Sequence, residues 1–105
     1  MTKVLITSGP AAGSQRIRLE TALKEAGFDR AFTVEKADIV IVMLPADANT
    51  HADLGVAIGM AKKTILFRPD PELERICARY QQVTAKAISL QAALEACLRL
   101  AGRTD

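Results

Sequence analysis

The chain has 105 residues, half of them hydrophobic and a quarter charged, which is the balance of one globular α/β-sized domain and excludes a disordered segment. Its formal net charge is only +2, and its 14 Lys and Arg form no stripe, which argues against a nucleic-acid partner. The apolar stretch 39–45 is far too short to span a membrane, and the N-terminus carries no hydrophobic signal region. Cys77 and Cys97 have no neighbouring Cys or His, so they read as small buried thiols, with no metal site and no disulfide framework. A cytoplasmic location is expected.

In chain order, residues 3–7 (KVLIT) form a short branched apolar run that ends at Ser8-Gly9-Pro10, a buried strand running into a turn. A helix follows from about residue 13 or 14 to residue 26, with Ile17, Leu19, Ala22, Leu23 and Ala26 on its apolar face and Gly27 as its stop. Residues 28–34 fit either a short strand or a packed loop. Residues 37–44 (ADIVIVML) are continuously apolar, as a central strand covered on both faces must be. After Pro45 a polar loop leads into a helix from about residue 50 or 51 to residue 61. Gly55 and Gly59 each cost that helix about 1 kcal/mol against Ala, which suggests close approach of a strand or a ligand.

Residues 63–67 (KTILF) give the next buried strand. A helix over 71–80, a short strand over 83–87 and a last helix over 89–101 complete the chain, with Ser89 as N-cap and Leu90, Ala93, Leu94, Cys97 and Leu98 inward. Strands alternating with helices over short turns imply a small doubly wound, flavodoxin- or Rossmann-like parallel sheet flanked by helices.

In such sheets ligands bind beyond the carboxyl ends of the strands, which selects the loops 8–14, 45–53 and 68–71. The first loop, SGPAAGS, brings Ser8, Gly9, Gly13 and Ser14 to a helix N-terminus, with Arg16 one turn in. Backbone N–H groups and the helix dipole there favour an anion, although a plain tight turn fits as well. The second loop holds Asp47, His51 and Asp53. One carboxylate can attack an anomeric carbon while another handles the departing base; the simpler role for both is helix capping. His51 is the sole histidine, of a kind more often found at a surface or a cap. Asp70, between two prolines, suits a turn.

Residues 37–70 resemble the core of the nucleoside 2-deoxyribosyltransferase family and its 2'-deoxynucleoside 5'-phosphate N-hydrolase branch. Asp53-Leu54-Gly55-Val56-Ala57 is similar to the family's E-L-G-x-A block at a helix start, and Lys63-Thr64-Ile65-Leu66 to its following strand. The loop GPAAGSQR is loosely similar to the phosphate-binding turn of the hydrolase branch. The resemblance implies cleavage or transfer at the N-glycosidic bond of a deoxynucleoside or deoxynucleotide, with no cofactor. It implies Asp53 as nucleophile and Asp47 at the base. Ser8, Gly9, Gly13, Ser14, Arg16, His51 and Gly55 would line the substrate, and paired subunits imply a homodimer or larger.

Four departures accompany the resemblance, one being the lack of a clear match to the C-terminal Asn or Tyr that a neighbouring subunit contributes in the family. In the other three, Asp53 stands where the family has Glu, Ile6 stands near the family's nucleophile-orienting Tyr, and the segment before the central strand is short. These favour an alternative, a non-catalytic nucleotide-binding or assembly module on the same scaffold. A phosphocarrier similar to the IIB domains of sugar phosphotransferase systems is a third reading, in which Ser8 occupies the place of the required Cys.

Overall fold

The computed structural model describes residues 2–10, 13–44, 47–67 and 82–102. Five strands, β1 (Lys3–Ser8), β2 (Asp29–Arg30), β3 (Ile39–Met43), β4 (Lys63–Phe67) and β5 (Ala85–Ala87), form one sheet of order β2-β1-β3-β4-β5. Every pairing is parallel. Three helices among the described residues, α1 (Gly13–Glu25), α2 (Ala48–Gly59) and α3 (Leu90–Leu100), cover the two faces. This is the doubly wound α/β architecture expected from the strand–helix alternation. The expected loop 68–71 with Asp70, the helix over 71–80 and Cys77 lie outside the described residues.

Strand parity divides the core in two. Ile39, Ile41 and Met43 of β3 join Val4 and Ile6 of β1 under α1 and α3, where Leu19, Leu23, Ala93, Ala96 and Cys97 meet them. Val40, Val42 and Leu44 point the other way, to Leu54 and Ala57 of α2. All five residues of β3 are buried, and each such side chain is worth about 1.5–3 kcal/mol relative to exposure. No helix among the described residues is long and apolar enough to cross a membrane.

The helix ends follow local chemistry. α1 closes at Gly27, whose φ of 89° is the left-handed turn that glycine adopts freely. The Gly27 N–H donates to the Lys24 carbonyl and the Phe28 N–H to the Leu23 carbonyl, the paired bonds of a Schellman stop. α2 closes the same way without a glycine, because Ala61 takes φ 55° while its N–H and that of Lys62 donate to Ile58 and Ala57. α3 opens on Ser89, whose hydroxyl accepts the Ala92 N–H at 3.1 Å, as its sequence implied.

Several expectations need correction. Ile17, expected on the apolar face of the first helix, is 65% exposed and joins neither of the buried clusters that Leu19 and Leu54 anchor. Residues 28–34 prove to be both alternatives in turn, a two-residue strand and then a loop, with Phe28 and Val34 buried and Phe32 exposed. α2 begins at Ala48, two residues before the expected start, because Asp47 caps it. A methyl group added at Gly59 would meet nothing within 4 Å, so no strand or other described group crowds the backbone there.

Candidate active site at the strand-order reversal

In the order β2-β1-β3-β4-β5 the chain winds outward in opposite directions from the boundary between β1 and β3. In open α/β sheets the carboxyl ends of the two strands at such a reversal are where ligands bind. There the register sets Thr7 beside Val42 and Ser8 beside Met43. Because side chains alternate, Thr7 turns to the α2 face and Ser8 to the α1 face. Each finds a partner among the expected site residues.

On the α2 side, the Thr7 hydroxyl donates to the Asp53 carboxylate at 2.7 Å across 46 residues of sequence. Thr7 is buried and Asp53 half-buried. Asp53 lies in the second turn of α2, beyond the free N–H groups of the first, so it caps nothing. No cation pairs with it among the described residues. Sequence reasoning missed Thr7, although a threonine at an α2-facing position of an otherwise apolar strand is the signal that could have found it.

Asp47 behaves differently. It is the N-cap of α2, accepting the Thr50 N–H at 2.9 Å and the fully buried Thr50 hydroxyl at 2.8 Å through the same oxygen. These bonds, the backbone one foremost, hold its carboxyl below the ordinary value of 3.8. Six residues of helix give a rise of about 9 Å and well over one full turn, so the two carboxylates do not share one helix face. The capping alternative describes Asp47 and does not describe Asp53. His51 and Gly55 are half-buried on the same helix.

On the α1 side, Arg16 reaches the Ser8 hydroxyl at 3.5 Å and pairs with Glu20 at 3.0 Å. Glu20 also lies 3.9 Å from Arg30. Gly9 is buried, Gly13 opens α1 half-buried, and Ser14 is exposed in the first turn, which contains no acidic residue. Thus Ser8 and Arg16 come together, as do Asp53 and Thr7, and the adjacent residues Thr7 and Ser8 join the pairs. A cleft of about 430 Å³ between α1 and the β1–β2 edge, lined by Val4, Ile6, Leu23, Phe28, Glu20 and Arg30 among others, includes none of Thr7, Ser8, Asp47 or Asp53. Among the described residues no three His, Cys, Asp or Glu side chains converge as a metal site requires.

No family model matches the chain. No curated protein matches it either. Among solved structures it is similar to the Clostridium botulinum CMP N-glycosidase BcmB, with 18% identity and a TM-score of 0.57. That match covers 91% of this chain and 98% of the other. The two proteins share a fold.

Proposed function

We propose that this protein cleaves the N-glycosidic bond of a nucleotide, with Asp53 as the nucleophile. The observation that carries the reading is the Asp53 carboxylate itself. It is half-buried at the strand-order reversal, it does not cap its helix, no cation among the described residues pairs with it, and one of its oxygens is held by Thr7. A carboxylate in such a place, outside the cap and held by a hydroxyl, suits nucleophilic work. The similarity of residues 53–57 to the nucleophile block of the deoxyribosyltransferases supports it. So does the shared fold with a protein described as a CMP N-glycosidase.

In the proposed reaction an Asp53 oxygen bonds to the anomeric carbon as the C–N bond breaks. The bond's electron pair leaves with the base, which takes a proton from solvent. Water then adds at the same carbon, displaces the carboxylate and gives up a proton, releasing the free sugar phosphate. Asp47, whose carboxyl the bonds from Thr50 hold below its ordinary value, acts toward the base as a hydrogen-bond acceptor and not as the acid. Ser8, Arg16 and the N-terminus of α1, with Gly9, Gly13 and Ser14, receive the 5'-phosphate. His51 and Gly55 border the sugar.

The test is mass-spectrometric detection of free base from a panel of ribo- and deoxyribonucleosides and their 5'-monophosphates, with Asp53→Asn as control. Base release by the wild type that disappears in Asp53→Asn is expected. Equal background release by both proteins refutes the reading. The short Asp53 side chain, one oxygen of which is already engaged by Thr7, favours a second reading: a nucleotide-binding module without turnover. Saturable stabilisation by nucleotides without base release would select it.

A further inference from the structure

We infer that the cleft between α1 and the β1–β2 edge is a separate ligand site, fitted to a small zwitterion with an apolar side chain, namely a free aliphatic amino acid. Thr7, Ser8, Asp47 and Asp53 do not line it, so the inference stands apart from the proposed chemistry. Its volume of about 430 Å³ is that of a small-molecule pocket. The floor is apolar, made by Val4, Ile6, Leu23 and Phe28. None of these four is more than 5% exposed, so the opening onto the floor is narrow and suits a slim aliphatic side chain over a broad ring.

The rim carries charges of both signs. Glu20 and Lys24 come from α1, and Asp29 and Arg30 from β2. Lys24, Asp29 and Arg30 are exposed. Arg30 is steadied from two sides, 3.9 Å from Glu20 and with its guanidinium carbon 5.0 Å from the centre of the Phe32 ring. Glu20 is already engaged by Arg16 at 3.0 Å. Lys24 and Arg30 therefore serve a ligand's negative group, and Asp29 its positive one. This division selects the ligand. A simple anion drawn to the two cations also faces Asp29, and a simple cation drawn to Asp29 faces Lys24 and Arg30, so attraction and repulsion offset each other. An amino acid bears both charges on one carbon and meets both kinds of partner at once. Its side chain then turns to the floor, where apolar surface leaves water.

The test titrates isotope-labelled protein with L-leucine and follows the backbone amide resonances. Saturable shifts with a millimolar Kd are expected, confined to Val4, Ile6 and residues 20–24 and 28–30. Isocaproate lacks the ammonium, isoamylamine lacks the carboxylate and glycine lacks the side chain; each should bind at least about tenfold more weakly. Arg30→Glu and Lys24→Glu reverse exposed charges at the rim and should each weaken L-leucine by about tenfold, with circular dichroism confirming the fold. Shifts that never saturate, or that scatter beyond the cleft, overturn the site. Isocaproate or isoamylamine binding as tightly as L-leucine overturns the ligand class, and so does unchanged affinity in both folded variants.

Discussion

Raising the pH from 8 to 11 should destabilise this protein steeply through one buried thiol. Cys97 lies on the inner face of α3 with none of its surface exposed, beside Ala93 and Ala96 on the α1–α3 side of the sheet. Burial penalises its thiolate and pushes the thiol up to about 12, from an ordinary 9.0. The sign follows from proton counting. Above pH 9 the unfolded chain gives up this proton while the folded one keeps it, so stability falls as pH rises through the window from 9 to 12. The slope is about 1.4 kcal/mol per pH unit, or between 2 and 3 kcal/mol by pH 11 by this order-of-magnitude reckoning. For a domain of this size that amounts to roughly 10–20 °C in Tm. Urea unfolding at pH 8, 9, 10 and 11 measures it, with Cys97→Ala alongside to subtract the titration of lysines and the tyrosine. The cost of the lost side chain does not vary with pH and cancels in the comparison. Parallel stability curves for the two proteins would refute the argument, since the thiol would then ionise alike in both states.

Two further outcomes follow from the ends of α2. Asp47 is held below its ordinary value by Thr50, so its contribution to stability is present above about pH 4 and is lost as the pH falls through its lowered value. Acid unfolding followed by circular dichroism from pH 5 to 2 should show wild type and Asp47→Asn converging; a constant gap between them would exclude the cap as the cause. Gly59 is helical, exposed and free of neighbours where a methyl group would stand, so Gly59→Ala should stabilise the protein by about 0.5–1 kcal/mol in urea unfolding. A loss of stability there would point to a contact made by residue 59 that the fold does not display.

Much of the architecture was legible because buried parallel strands must be apolar throughout. Residues 63–67 were read with their observed bounds, and 37–44 with β3 at their centre, flanked by buried Ala37 and Leu44. Gly27 and Ser89 each announced a helix end through a specific backbone need. Ile17 and Phe32 were not legible, because their hydrophobicity says nothing about which partner is within reach; both remain at the surface. The site was partly legible. The Asp53 block could be noticed, but telling the acid that caps α2 from the one that does not required knowing that the helix starts at Ala48. Asp47, a favoured N-cap residue two positions before the expected start, carries that signal in the sequence. The bond from Thr7 to Asp53 joins residues 46 positions apart, and no local pattern encodes such a pairing.

The division of the core by the sheet has a consequence for engineering. Side chains of β3 that support α2 and the Asp53 shelf are not those that meet α1 and α3. Repacking the Leu19, Leu23 and Ala93 side should therefore add to stability independently of changes beneath Leu54, because substitutions without shared partners combine almost additively. The protein can be hardened on the α1–α3 side of its sheet while the packing beneath α2 is left unchanged.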